Sequence, residues 1–251
     1  MMRRLLVLSG GHPYDADGFA ALLDALDGWE VDHRLHPEAE DDAPAAFERA
    51  DAVLFYDMAG YAFGGGRVTS RPPSEPFRTA VERWFLSGGG AVAMHHALAG
   101  WSAWPAWARM LGGRFLYAAD GHTLDSGYRH DVRYEAVVVD PAHPVVAGVP
   151  PRFALVDELY LVEIDEAGVT PLLRADHRFV RDGFYSAAHA VAGRMFDNAD
   201  WPHPPGSDLI AWERSVGAGR LVYLQPGDGP RAYADRHFRR LLANALDRVA
   251  A

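Results

Sequence analysis

The chain has 251 residues, 49% of them hydrophobic and 23% charged, an ordinary globular composition with length enough to bury a full core. Its net charge of -10 is offset by no local Lys/Arg cluster, which argues against a nucleic-acid partner. The absence of cysteine removes disulfides, thiolate metal sites and thiol nucleophiles together, so any metal must be held by histidine and carboxylate.

Arg3 to Ser9 reads as a buried first strand, and the apolar run is too short for a signal peptide or for the ~18 residues of a membrane helix. A single cytoplasmic domain, residues 1–251, with no membrane partner is therefore expected. The loop Gly10-Gly11-His12-Pro13-Tyr14-Asp15 follows, then an amphipathic helix from Asp17 to Leu26. Trp29 to Leu35 reads as a second strand, Ala43 to Arg49 as a short helix and Asp51 to Tyr56 as a third strand. Asp57 to Ser74, with Gly64-Gly65-Gly66 and Pro72-Pro73, is expected to be a long loop of the functional or mobile kind. The glycine triplet lacks the lysine of a phosphate loop, so it reads as a lid, and no nucleotide cofactor is indicated.

A helix from Glu75 to Leu86 leads through Gly88-Gly-Gly into a short apolar run and the pair His95-His96, a pattern of helix, turn, buried strand and sharp elbow. The β-α alternation to this point predicts a doubly wound, mostly parallel sheet flanked by helices, flavodoxin-like in arrangement. Trp101, Trp104 and Trp107 recur at helical spacing within a short helix over Ser102 to Phe115 and read as core. From Asp131 the chain turns β-rich. Val132 to Asp140, Ala154 to Glu163, Val169 to Leu173, Asp208 to Arg214 and Arg220 to Leu224 are short strands, and a helix from Tyr233 to Ala250 closes the chain.

In open α/β sheets ligands gather past the carboxyl ends of the strands. His95 holds the elbow there, and an imidazole in that place suits metal ligation or proton transfer. His96, its neighbour, would point the opposite way if the strand continued, which gives it a structural role. His12 lies in the loop after the first strand, at the same edge of the sheet. It is either a second ligand or acid/base group, or a turn residue held by Pro13, and Asp15 either ligates or caps the next helix.

In Val156-Asp157-Glu158-Leu159-Tyr160 the alternation puts Glu158 and Tyr160 on one face and Asp157 and Leu159 on the other. A carboxylate and a phenol projecting together suit acid/base work or recognition of sugar hydroxyls, an edge ion pair being the alternative. The run His122, Asp125, Tyr128, Arg129, His130 and Asp131 is a polar loop able to take a divalent metal or simply to be solvated, and it matches no strong metal signature. His143-Pro144 reads as a structural corner.

Several stretches together resemble the ThuA-like (trehalose-utilisation) family, whose fold is similar to class I glutamine amidotransferases. They are Gly88-Gly-Gly-Ala-Val-Ala-Met-His95, Trp104-Pro-Ala-Trp107 with Gly112-Gly113-Arg-Phe115, Asp140-Pro-Ala-His143-Pro144, Asp157-Glu158-Leu-Tyr160, Ala211-Trp212-Glu213 and Gly217-Ala-Gly219-Arg220. The resemblance covers nearly the whole chain. It implies carbohydrate metabolism: an enzyme on a sugar or keto-sugar, of isomerase, lyase or hydrolase type. His95 and Glu158 would be catalytic, and His12, Tyr14, Tyr160 and Trp212 would contact the sugar.

A divalent metal such as zinc or manganese would sit on His95, His12 and His130. The alternative is a non-catalytic sugar-binding or assembly protein on the same scaffold, and a homodimer is compatible with either. Amidotransferases of this fold use an elbow cysteine, so with His95 there a glutaminase mechanism is excluded. The family pattern also places Gly-His after the last strand, where this chain reads Gln225-Pro-Gly227-Asp228, a departure at Asp228.

Overall fold

The computed structural model describes residues 2–251. Strand β1 (Arg3–Gly10) is followed by helix α1 (Ala16–Asp24), capped by the Asp15 carboxylate on the Gly18 N–H. Next come β2 (Trp29–Leu35), α2 (Ala39–Phe47) and β3 (Ala52–Asp57). Helix α2 starts four residues before the Ala43 expected from the sequence and carries Pro44 in its second turn, where the missing N–H costs one helical bond.

The segment expected to be a long loop contains a hairpin, β4 (Tyr61–Gly64) and β5 (Arg67–Ser70). Gly65 and Gly66 close it with φ of +58° and +71°, the two positive angles of a turn whose twist matches its strands. Helix α3 (Glu75–Leu86) begins at the Ser74 cap, and β6 (Gly90–Met94) passes directly into a one-turn 3-10 helix, His95–Leu98.

Helix α4 (Pro105–Leu111), β7 (Gly113–Arg114) and β8 (Gly127–Val138) follow. β8 starts five residues earlier than expected, so Tyr128 and His130 lie on a strand and not in a polar loop. A register shift between Arg129 and Val132, with Asp131 at φ +54°, bulges it at His130. The remaining elements are β9 (Arg152–Leu161), β10 (Glu163–Ile164), β11 (Thr170–Ala175), β12 (Tyr185–Ser186), α5 (Ala187–Val191), β13 (Leu209–Val216), β14 (Gly219–Leu224), α6 (Pro230–Ala234) and α7 (Arg236–Val249). The expected closing helix is thus two, broken at Asp235, whose extended backbone frees its carboxylate to cap α7 on the N–H groups of His237 and Phe238.

Ten strands form one sheet. Five are parallel in the order β2-β1-β3-β6-β14, the flavodoxin-like winding expected, and the sheet then continues antiparallel through β13, β11, β8 and β12, with β9 along the other side of β8. Along β1 and β3, Leu5, Val7, Leu54 and Tyr56 pack toward α1 and α7, while Leu6, Leu8, Val53 and Phe55 pack toward α2 and α3. Two apolar faces at period two explain why these strands read as continuous hydrophobic runs. In register, the carboxyl ends of β1, β3, β6 and β14 fall at one edge. The loops carrying His12, His95 and Asp228 leave from it.

Candidate active site

Tight apolar packing carries β6 to Met94, and the chain then turns at His95 with φ +43°, a left-handed conformation unusual for a residue with a side chain. Past that turn the alternation of the strand no longer applies. His95 and His96 therefore both reach the cleft, which corrects the structural role expected for His96.

His95 is fully buried. Its Nδ1 donates to the Gln225 carbonyl at 2.5 Å, which leaves Nε2 aimed at the cleft, 3.0 Å from Glu158 Oε2, 2.7 Å from the Tyr160 hydroxyl and 3.5 Å from Asp228 Oδ1. His96 lies with Nδ1 3.1 Å from the Tyr160 hydroxyl and Nε2 3.2 Å from Asp228 Oδ1. The second oxygen of Glu158 meets Nδ1 of His130, half-exposed on the bulge of β8, at 3.0 Å.

Charge separates these groups sharply. Burial alone would lower the His95 imidazole, but Glu158 and Asp228 outweigh it and raise it to about 9. Burial and the neighbouring His95 push His96 down to about 3. Burial would raise Glu158, yet His130 and His95 bring it down to about 2, and in the same way the three histidines hold Asp228 far below the usual carboxylate range. The hydrogen bond that His130 donates to Glu158 raises the His130 imidazole.

The loop that brings Asp228 to the cluster is stitched to β9. Asp157, on the opposite face from Glu158, accepts the Gly227 N–H at 2.6 Å, and the Gln225 side chain accepts the Tyr160 N–H at 2.9 Å. Burial raises the Asp157 carboxyl to about 7.

One donor atom each from His95, His96, Glu158 and Asp228 lies within 4.8 Å of the others. Two imidazoles and two carboxylates are a donor set that zinc or manganese accepts. The Nδ1 bond of His95 to a backbone carbonyl is the outer-shell contact that fixes the tautomer of a ligating histidine. A cavity of about 250 Å³ opens on the group, walled by His130, Asp131, Glu158, Asp228 and Arg231. Larger hollows of about 530 and 1070 Å³ lie over α4 and between α2 and α3, and no histidine lines either.

The other residues expected in the site lie around the cluster or away from it. His12 lies outside the four-residue group: its Nε2 faces the Tyr56 carbonyl at 2.9 Å and its Nδ1 the Pro13 carbonyl at 3.0 Å, while its ring lies 3.8 Å from that of His96. His130 touches the cluster through Glu158 alone. Tyr14 packs behind His12, its hydroxyl 3.1 Å from Ser9 Oγ.

Trp212, expected to contact the sugar, is fully buried, with its N–H on the Leu111 carbonyl at 2.7 Å and its ring packed against Tyr223. The polar run 122–131 is split: His122 is exposed, while Asp125 turns inward to Ser186 and Trp201. Sequence reasoning missed His96 and Asp228. The signal available for Asp228 was its place directly after Pro226-Gly227 at the carboxyl end of the last parallel strand.

The parallel half-sheet, with its sharp elbow past the fourth strand, is an α/β fold of the class I glutamine amidotransferase-like kind, with His95 at the elbow. The whole chain superposes on ThuA-like proteins from Parabacteroides merdae (16% identity, TM-score 0.70, 100% of this chain and 91% of that one) and Bacteroides uniformis (17%, 0.65, 97% and 89%). PurLQS from Thermotoga maritima shares the fold at 11% identity and TM-score 0.54, over 99% of both chains. At such identities the likeness is one of fold. No curated protein matches. The chain belongs to the ThuA family, whose model, described as trehalose utilisation, matches residues 4–247.

Proposed function

We propose that the protein is a sugar-directed enzyme whose His95, His96, Glu158 and Asp228 hold a divalent metal beside the reacting carbon of the substrate. The observation that carries this reading is the convergence of two imidazoles and two carboxylates within 4.8 Å at the carboxyl edge of the sheet. The family's description, trehalose utilisation, supports the sugar. When bound, the metal would polarise a sugar oxygen. Tyr160, with its hydroxyl on both histidines, orients them, and Glu158 linked to the half-exposed His130 offers a path for a proton between the buried cluster and solvent. These parts serve isomerase, lyase and hydrolase chemistry alike.

A metal-free reading is favoured by one contact. His95 Nε2 already meets Glu158 directly, so the cluster is closed as a histidine–carboxylate pair. In that case His95 is the acid/base of the reaction or an anchor for sugar hydroxyls in a binding protein.

Metal analysis of protein purified without chelator or affinity metal decides. About one zinc or manganese per chain in the native protein, falling at least ~10-fold in His95→Ala and Asp228→Ala, is the expected result. A metal-free native protein would sink the metal-assisted reading. Turnover lost in His95→Gln with sugar binding retained would then mark an acid/base enzyme, and no turnover in either form a binding protein.

A further inference from the structure

Beside the cluster the protein displays an aromatic ring that stands mostly in solvent. Phe196 is 58% exposed and the preceding Met195 is 52% exposed. Phe196 also sits at φ +58°, a backbone angle that costs any residue with a Cβ and that persists only where the surroundings impose it. The surroundings do impose it. The Phe196 N–H is held by the Tyr128 hydroxyl at 3.1 Å, and the ring stands edge-on to Tyr185 and His130, at centroid distances of 5.5 and 6.2 Å.

The segment bearing it is tied at both ends to one buried carboxylate. Asp125 accepts from the Ser186 hydroxyl and the Ala188 N–H at the start and from the Trp201 indole at the end. Rigid support for a strained, solvent-facing aromatic serves no core. What it serves is set by its neighbour: His130 lies against Phe196 and meets Glu158 at 3.0 Å, so Phe196 is one side chain away from the cluster.

We infer that Phe196 is the platform on which a pyranose ring of the substrate lies, its C–H face on the aromatic ring and its hydroxyls within reach of His130. Phe196 is then a specificity-determining residue. This rests on the sugar-directed reading above and adds to it a substrate with a second ring beside the reacting one. Flat aromatic faces give such rings contact area with little entropy to lose. His130, Asp131 and Arg231 at the rim supply the polar partners.

The test measures binding of trehalose, maltose, lactose and glucose to the full chain by titration calorimetry and saturation-transfer NMR, for the native protein, Phe196→Ala and Phe196→Trp. The disaccharide that binds the native protein is expected to bind Phe196→Ala about 10-fold or more weakly, and Phe196→Trp within ~3-fold. Glucose should change little, because the reacting ring keeps its own contacts. Phe196→Gly, which relieves the backbone angle, should melt no lower than the native protein while binding as weakly as Phe196→Ala, a combination that a packing role would not produce. Disaccharide binding equal in the native protein and Phe196→Ala overturns the platform and leaves the sugar-directed reading standing. A native protein that binds none of the four sugars overturns that reading and the platform with it.

Discussion

His95 combines a left-handed backbone with a side chain surrounded by opposite charge, and both follow from its place one residue past a buried strand. In the metal-free protein this has a consequence for stability. An imidazole raised from its ordinary 6.5 to about 9 contributes its full stabilisation below pH 6.5 and loses it as pH rises through 9. Glu158, lowered from 4.5 to about 2, contributes above 4.5 and loses its share as pH falls through 2. His96 titrates below 6.5 and Asp157 up to about 7, while His130, raised through its contact with Glu158, shares the lower part of the window from 6.5 to 9 with His95. Calorimetry of metal-free protein should show a melting point dropping on the order of 5 °C across that window, and His95→Gln should remove most of the drop between about pH 7 and 9. The same slope in both proteins would mean that His95 is not charged in the fold.

At the level of segments, the stretch from Ser186 to Trp201 has little secondary structure beyond α5 and depends on Asp125 for its shape. Asp125→Ala would leave a hydroxyl, a backbone N–H and an indole N–H buried without an acceptor, at about 1–3 kcal/mol each. A loss of about 3 kcal/mol or more in urea unfolding, with protease cleavage appearing between residues 190 and 200, is expected; protection equal to that of the native protein would show that the segment holds itself. The boundaries of α3 were legible because Ser74 and Pro76 are local start signals. The β4–β5 hairpin was not. Its strands are four residues long and largely exposed, so no buried alternation marks them, and only Gly65-Gly66 pointed to a turn.

The molecule as a whole is organised around how closely its elements approach the elbow strand. At Gly90 on β6 an added Cβ would run into the backbone carbonyl of Val249, so α7 lies on the sheet with no room for a side chain between them. Gly90→Ala must displace that helix, and with it Phe238 and Leu242 from the core. The expected cost is at least about 2–3 kcal/mol, seen as a melting point lower by ~5 °C or more. An unchanged melting point would mean that α7 shifts freely. The same sheet brings the two halves of the chain together at the site. His95 and Asp228 come from the parallel strands, and Glu158, Tyr160 and His130 come from the antiparallel continuation.

The sequence by itself determined the winding of the first half, the elbow at His95 and the shared face of Glu158 and Tyr160. Each rests on a local rule: β-α alternation, a glycine turn before a short apolar strand, and period two. The tertiary structure alone decided the membership of the cluster. His96 joins it because the chain turns at φ +43° where a continuing strand would have pointed it away. Asp228 joins because Asp157 and Gln225 bind its loop across to β9. His12 stays outside it with its ring nitrogens facing backbone carbonyls, and Trp212 is buried with its indole N–H on the Leu111 carbonyl. The physical reason is common to all four. Which way a side chain points past the end of a strand, and which carbonyl lies opposite it, depend on partners tens of residues away, and no local pattern carries that information.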